Sequence, residues 1–305
     1  MNAVYYNSEI DDDARRAQLY EGQLIVFSRR PSTIALCEFA RQMSEEAFAP
    51  HDPREAQHHM PVEQYVEILA ELKPKFIHHP KCKELIAAIL EDVGCELENT
   101  YFDVPRLRAV TSDAYLTSGL GYAFKPHRDS WYSTPMCQLN WWLPIYEITP
   151  ENTMAFDLNY WDRPIENSSS EFNHQDWQQT GRKDALKLVK KDTRRQSEAL
   201  EPLQLEPQLR LITERGGLTI FSAAHLHSTV ANTSGSTRFS IDFRTVNLAD
   251  LSARNGAPNI DSACKGTTIH DYLRGTDRSP VPRPIRDLYE NSTLKHLSGL
   301  VSVSN

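Results

Sequence analysis

The segment FSAAHLHSTVANTSGSTRFSIDF, residues 221–243, contains two β-branched and aromatic runs separated by a cluster of turn-forming residues. Such runs are typical of strands, and Asn, Ser and Gly between them are typical of a turn. We therefore predict a β-hairpin whose turn is centred near Asn232 and Thr233. In that register His227 lies opposite Arg238, so an imidazole and a guanidinium would lie close together on neighbouring strands.

Similar strand-like runs recur over residues 100–250, separated by Gly, Pro, Asn and Ser. No GxGxxG or GxxxxGK[ST] motif joins a strand to a helix, which gives no support to a nucleotide-binding βαβ fold. Many short strands with long connections favour an antiparallel sandwich or barrel. In residues 1–99, apolar side chains recur at helical spacing, so we expect that part to be mostly helical.

These patterns predict one domain, residues 1–305, in three parts. Residues 1–99 form a mostly helical N-terminal support, residues 100–250 form the β core with an insertion at about 165–200, and residues 251–305 form an irregular C-terminal extension. The insertion carries a basic run near 181–196. That run is either a solvated helix face or a mobile lid or contact for an acidic partner.

The charge and hydropathy of the chain exclude several classes of partner. The chain has 33 Lys and Arg against 41 Asp and Glu, a net charge of −8, which is the wrong sign for broad binding to nucleic acid. No apolar run approaches the ~20 residues that span a bilayer, and the N-terminus is acidic. We expect a cytoplasmic protein with neither nucleic-acid nor membrane partners. The sequence leaves its oligomeric state unknown.

Two short segments carry candidate metal ligands. In the segment KPHRD, residues 125–129, an extended chain places the side chains of His127 and Asp129 on the same side. His227 supplies a third ligand, and two histidines with one carboxylate are typical of non-haem Fe(II) oxygenases. His225 competes with His227 because both would lie on one face of a strand. We favour His227 because its spacing to Arg238 fits the predicted hairpin.

Arg238 also has the chemistry needed to bind a dicarboxylate. Its planar guanidinium matches the distal carboxylate of such a cosubstrate, and the hydroxyl of Thr229 lies on the same face as His227. Arg244 lies farther along the strand of Arg238 and on the same side. Its guanidinium either contacts a carboxylate of the ligand or forms a structural ion pair.

These residues together resemble the Fe(II)- and 2-oxoglutarate-dependent oxygenases, and within them the phytanoyl-CoA dioxygenase-like branch. The resemblance covers roughly residues 101–247 and rests on these motif residues: His127-x-Asp129, His227-Ser228-Thr229, Asn232-x-Ser234 and Arg238. It implies a mainly β fold with flanking helices and a double-stranded β-helix (jelly-roll, cupin-like) core. It further implies that His127, Asp129 and His227 bind Fe(II), and that Arg238 with Thr229 binds 2-oxoglutarate, which is consumed with O2.

The strand after the first ligands is expected to line the pocket. Gln138, Asn140 and Trp142 alternate onto one face, where the amide of Asn140 can orient the keto acid, while Gln138 and Trp142 contact substrate. Trp131 and Tyr132 follow the ligands closely, and we expect them at the pocket mouth. Each of the aromatic side chains has a packing role as the alternative interpretation.

The reaction implied by the resemblance is hydroxylation of a small molecule with release of succinate and CO2. Desaturation, epoxidation or cyclisation would use the same ligands, so the sequence does not separate them. A non-catalytic cupin-like protein that binds a metal or ligand is the alternative from another class. A metal-dependent isomerase or lyase is a third hypothesis, against which the position of Arg238 counts.

Overall fold

The computed structural model describes residues 3–116, 125–177 and 196–290. Most of the predicted basic insertion, residues 178–195, therefore lies outside the described residues. Within them, no helix is long and apolar enough to cross a membrane.

Four helices dominate the N-terminal third. They are α1 (Asp12–Tyr20), α2 (Pro31–Phe48), α3 (Val62–His78) and α4 (Pro80–Asp92). Helices α2 and α4 each begin at a proline, which needs no N–H partner in the first turn. The apolar faces of α2, α3 and α4 pack together, and Phe48 contacts Phe239 of the sheet with ring centroids 6.1 Å apart. The helices thus support one face of the main sheet.

The described strands form two sheets. The larger sheet has eight strands, which are β1 (Val4–Tyr6), β2 (Leu24–Phe27), β3 (Thr100–Phe102), β4 (Arg106–Val110), β5 (Leu139–Pro144), β8 (Leu218–Ser222), β10 (Arg238–Asn247) and β11 (Leu273–Arg274). Their order in the sheet is β1-β2-β8-β5-β10-β3-β11, with β4 also paired to β10. The smaller sheet has the order β7-β6-β9, formed by β6 (Met154–Phe156), β7 (Leu209–Leu211) and β9 (His227–Thr229). Short helices α5 (His174–Asp176) and α6 (Leu248–Ala253) lie between strands.

Strand β10 separates the hydrophobic core from the pocket. Phe239, Ile241 and Phe243 are fully buried and belong to the main hydrophobic cluster. The alternate residues Arg238, Asp242 and Arg244 line a cavity on the other side. Because side chains alternate along a strand, one sequence of ten residues builds both the core and the polar wall of the pocket.

The predicted hairpin between the strands of His227 and Arg238 is wrong. His227 pairs with Phe156 of β6, whereas Arg238 pairs with Val110 of β4, in the other sheet. The turn-forming residues connect the two sheets, and the Asn232 side-chain amide donates to the carbonyl of Val110 at 2.9 Å. Asn, Ser and Gly permit a tight change of direction without specifying which sheet the chain enters next.

The expected mainly β fold with flanking helices is confirmed. The double-stranded β-helix core and the division into three parts stay predictions. Among the described residues of the C-terminal part, β11 pairs with β3 and joins the main sheet.

Candidate metal centre

His127, Asp129 and His227 converge on one point. Their ligand atoms all lie within 4.8 Å of one another, and all three residues are buried. His127 Nε2 lies 3.4 Å from Asp129 Oδ1, and the two imidazole centroids are 4.4 Å apart. Between the first two, Arg128 is extended (φ −107°, ψ 137°), which places His127 and Asp129 on the same side as expected.

The main chain fixes the relative position of the two histidines. His127 and His227 form an isolated antiparallel bridge, in which each backbone N–H donates to the carbonyl of the other at 3.0 Å. Next to it, the N–H of Ser130 donates to the carbonyl of Ala223 at 3.1 Å. The two ligand-bearing segments are therefore bonded to each other independently of any metal.

Hydrogen bonds also orient both imidazole rings. Nδ1 of His127 lies 2.8 Å from the carbonyl oxygen of Lys125, and Nδ1 of His227 lies 3.0 Å from that of His225. A carbonyl oxygen only accepts, so each Nδ1 carries the proton. In a neutral imidazole with this tautomer, Nε2 presents a lone pair, which is the form that binds a metal.

The charge states of the cluster are those of metal ligands. Burial lowers the pKa of His227 to about 4, with nearby His127 acting in the same direction. Burial alone would raise the pKa of the Asp129 carboxyl, but Arg244 and the histidines outweigh it and hold that pKa well below its usual range. At neutral pH the site thus offers a neutral imidazole and a carboxylate without first losing protons.

Asp129 is held through its second oxygen. Oδ2 accepts from Gln138 Nε2 at 3.3 Å and from Arg244 Nε at 3.4 Å, while Oδ1 faces His127. Arg244 also pairs with Asp103 at 3.3 Å. Of the two roles considered for Arg244, the structure shows the ion pair.

Arg128 anchors the ligand segment rather than lining the pocket. Its Nε pairs with Asp261 at 2.9 Å, and the two side chains are only 1% and 4% exposed. Its Nη1 donates to the carbonyl of Ala224 at 2.5 Å, three residues before His227 in sequence.

Trp131 does not line the pocket, contrary to expectation. Its indole N–H donates to Asp261 at 2.8 Å, and its ring belongs to a separate buried cluster.

His225 is not grouped with the metal ligands. Residues 223–225 form a turn before β9, so the parity argument that placed His225 on the same face does not apply. Its Nε2 lies 3.1 Å from the carbonyl oxygen of Gly22, and its ring packs against Trp161 at 4.6 Å.

The metal cluster opens into a cavity of about 360 Å³. Among the predicted site residues, those that line this cavity are His127, Asp129, His227, Arg238, Thr229, Asn140, Gln138, Trp142 and Tyr132. Tyr132 stands edge-on to His127 with centroids 5.7 Å apart. Trp141 stacks on Phe243, with the ring centroids 5.4 Å apart.

Arg238 differs from the other arginines of this cavity. Arg106 pairs with Asp103 at 2.6 Å, and Arg108 pairs with Asp242 at 2.5 Å. Arg238 is 4% exposed and has no carboxylate partner within 4.0 Å among the described residues. Its Nη1 donates to the Asn152 carbonyl at 3.2 Å, and its Nε has no hydrogen-bond partner in the same part of the chain.

The buried guanidinium is nevertheless a cation. Burial lowers the pKa of Arg238 to about 10, which leaves it protonated at neutral pH. Its Cζ lies 5.5 Å from the centroid of the Trp142 ring, whose face partly offsets the charge. A carboxylate entering this end of the cavity would supply the missing partner.

Sequence reasoning missed several residues of the site. Asp103 and Tyr272 line the cavity, and Asp261 holds Arg128. Asp103 lies between β3 and β4 with no motif around it, and the segment from 257 to 272 has no periodic pattern. Only the three-dimensional fold brings these residues to the metal cluster.

No protein-family model matches the chain, and no curated protein matches it. Several solved structures are similar to the chain. The apo structure of the non-heme monooxygenase ThoJ is 13% identical, with 86% of this chain and 92% of that chain covered and a TM-score of 0.40. The epimerase SnoN in complex with Fe3+, alpha ketoglutarate and nogalamycin RO is also 13% identical, with coverages of 83% and 98% and a TM-score of 0.41.

A third similar structure is EvdO2 from Micromonospora carbonacea var. aurantiaca, complexed with 2-oxoglutarate. It is 13% identical, with 78% of this chain and 91% of that chain covered and a TM-score of 0.42. Similarity at this level does not establish a shared fold or function. The chemistry of this chain is therefore indicated by its own His127, Asp129 and His227 cluster and by Arg238, which has no carboxylate partner among the described residues.

Proposed function

We propose that this protein is an Fe(II)- and 2-oxoglutarate-dependent oxygenase that hydroxylates a small molecule. The observation that supports the proposal is one cavity that contains a buried His, Asp and His cluster and a buried arginine with no carboxylate partner among the described residues. Two histidines and one carboxylate suit Fe(II) and leave its opposite face open. Arg238 has the charge and geometry for the distal carboxylate of 2-oxoglutarate.

The donor set fits both cofactors. His127 and His227 present Nε2 and Asp129 presents Oδ1, so these three residues would hold the iron. Arg238 Nε and Asn140 Nδ2 are buried donors without partners among the described residues, and oxygen atoms of 2-oxoglutarate would satisfy them. The hydroxyl of Thr229, which lines the same cavity, would bind the same carboxylate as Arg238.

When bound, iron and 2-oxoglutarate activate O2, and oxidative decarboxylation to succinate and CO2 supplies the oxidising power for the substrate C–H bond. The protein's own residues bind and orient the iron, the cosubstrate and the substrate, and they exclude water. Trp142 packs against Arg238, and Phe221 and Met154, which belong to the same apolar cluster as Trp142, also line the cavity. This apolar wall would strengthen an ion pair between Arg238 and the cosubstrate.

The first test is an anaerobic titration of the metal-free protein with Fe(II) and then 2-oxoglutarate. Bidentate binding of the keto acid to Fe(II) is expected to give a weak visible metal-to-ligand charge-transfer band. The matched variants are His227→Ala and His225→Ala, two buried histidines of which only His227 belongs to the ligand cluster.

We expect the band in the wild type and in His225→Ala, and its loss in His227→Ala. Absence of the band and of 2-oxoglutarate binding in folded wild-type protein would contradict the proposal and favour a non-catalytic binding protein. If the band forms, succinate release in the presence of candidate compounds then identifies the substrate.

The finer assignments are also part of this proposal. Hydroxylation is the default outcome, and desaturation or cyclisation would use the same residues. Membership of the phytanoyl-CoA dioxygenase-like branch and a cytoplasmic location remain predictions from the sequence.

A further inference from the structure

A chain of three polar side chains runs from the C-terminal part of the protein into the cavity. The hydroxyl of Tyr272 lies 2.6 Å from Gln138 Oε1, and Gln138 Nε2 lies 2.9 Å from Asn140 Oδ1. All three residues line the cavity and are at most 5% exposed. This amide relay, Tyr272 to Gln138 to Asn140, is distinct from the metal ligands and from Arg238.

The first link fixes which way the Gln138 amide faces. Burial raises the pKa of Tyr272 well above its usual range, so its hydroxyl keeps its proton and donates to Oε1. At the other end, the Asp129 carboxylate accepts from Nε2 at 3.3 Å. In the reversed orientation Gln138 would present its carbonyl oxygen to an anionic carboxylate, which is unfavourable.

The second link fixes the Asn140 amide. Gln138 donates to Asn140 Oδ1, so the carbonyl side of Asn140 is already used. Asn140 Nδ2 is buried and has no hydrogen-bond partner among the described residues. A buried donor without a partner is costly, and in this cavity an oxygen atom of a ligand would satisfy it.

We propose that Tyr272 is a positioning residue that acts through Gln138 to present the Asn140 amide N–H to 2-oxoglutarate. This inference rests on the proposed function, because the cosubstrate supplies the accepting oxygen. Tyr272 itself does not need to touch the cosubstrate. Its hydroxyl fixes the orientation of the Gln138 amide, and Gln138 in turn fixes that of the Asn140 amide. Asn140 therefore presents an N–H donor to the cavity.

The test is calorimetric titration of 2-oxoglutarate into anaerobic Fe(II)-loaded protein, comparing the wild type with Tyr272→Phe, Asn140→Ala and the double variant. Tyr272→Phe removes one hydroxyl and keeps the ring. The matched control is Tyr65→Phe, because Tyr65 is fully buried, donates one hydrogen bond to Thr237 at 3.2 Å and does not line the cavity.

We expect Tyr272→Phe to weaken 2-oxoglutarate binding about fivefold, and Asn140→Ala by at least as much. The double variant is expected to bind like Asn140→Ala alone, because Tyr272 acts through Asn140. Tyr65→Phe is expected to leave the affinity within twofold of wild type, whatever it does to thermal stability. Asn140→Asp, of the same size but without N–H donors, provides a second variant if Asn140→Ala does not fold.

Two results would overturn the relay. One is unchanged 2-oxoglutarate affinity in Tyr272→Phe, and the other is a double variant in which the two losses multiply. Failure of the wild type to bind 2-oxoglutarate would instead overturn the proposed function, so the two failures are distinguishable.

Discussion

Arg128 and Asp261 form a buried ion pair, 2.9 Å between Nε and Oδ2, across 133 residues of sequence. Arg128 stands between His127 and Asp129, so whatever holds Arg128 also holds the two side chains beside it. The pair joins the metal-ligand segment to a part of the chain that follows the last strand of the core.

Replacing Asp261 with Asn is expected to lower both stability and metal affinity. Breaking a buried ion pair on one side typically costs about 3–5 kcal/mol of unfolding free energy. Because Arg128 loses its carboxylate partner and holds His127 and Asp129 less firmly, we also expect a fall of about tenfold or more in affinity for Fe(II). Urea unfolding and an anaerobic metal titration measure the two effects.

The matched control for this variant is Asp250→Asn. Asp250 also accepts from a largely buried arginine, Arg16 Nε at 2.7 Å, and the pair lies outside the residues that line the cavity. We expect Asp250→Asn to lose stability while retaining wild-type metal affinity. Equal losses of metal affinity in both variants would show that the Arg128 pair has no specific effect on the ligands.

Asp129→Ala is expected to abolish hydroxylation and to reduce Fe(II) affinity strongly, because one of three protein ligands is lost and Arg244 loses one of its carboxylate partners. Succinate formation and the metal titration are the measurements. Full retention of activity would show that Asp129 is not a ligand. Asp242→Asn, another aspartate of the cavity wall outside the ligand cluster, serves as the comparison and is expected to keep its metal.

Arg238→Ala is expected to act mainly on the cosubstrate. Loss of a buried charge partner typically costs about 2–5 kcal/mol of binding free energy, so the KM for 2-oxoglutarate should rise by more than about tenfold. Arg238→Lys keeps a cation but not the planar fork, and we expect an intermediate KM. Steady-state kinetics at varied 2-oxoglutarate measures both, and an unchanged KM in Arg238→Ala would contradict the assignment.

The stability of the metal-free protein is expected to fall as the pH falls from about 6.5 toward 4. Burial lowers the pKa of His225 to about 3 and that of His227 to about 4, from a usual value of 6.5. Below pH 6.5 the unfolded chain therefore binds more protons than the folded one, and unfolding becomes easier.

Thermal unfolding at several pH values tests this expectation. The variant His225→Gln removes one buried histidine that lies outside the ligand cluster, so its melting temperature should depend less steeply on pH than that of the wild type. Identical slopes in the two proteins would show that His225 titrates normally in the folded state.

The sequence predicted that His127, Asp129 and His227 lie together, and local geometry accounts for the first two. His127 and Asp129 flank one extended residue, and the type and spacing of His227 and Arg238 match a recognised pattern. The route by which Arg238 reaches the site was predicted wrongly, since residues 230–237 connect two sheets instead of closing a hairpin. Turn-forming residues specify a change of direction but not the strand that pairs next.

The outer contacts of the site could not be predicted from sequence. Tyr272 lies 134 residues from its partner Gln138, in a segment without helical or strand periodicity. Likewise, the exclusion of Trp131 from the cavity depends on its bond to Asp261, 130 residues away. Such pairs follow from the path of the whole chain, and no local pattern of residues marks them.

The backbone and side-chain contacts between residues 261–272 and the ligand segment set an order of events during synthesis. Ser262 Oγ donates to the carbonyl of Ser130 at 2.6 Å, and the N–H of Thr268 donates to that of Ser133 at 3.0 Å. These contacts form only after residues 261–272 have left the ribosome. A nascent chain that contains His127, Asp129 and His227 but not yet this segment therefore lacks part of the support of the candidate metal centre, so metal binding is expected to follow the docking of residues 261–272.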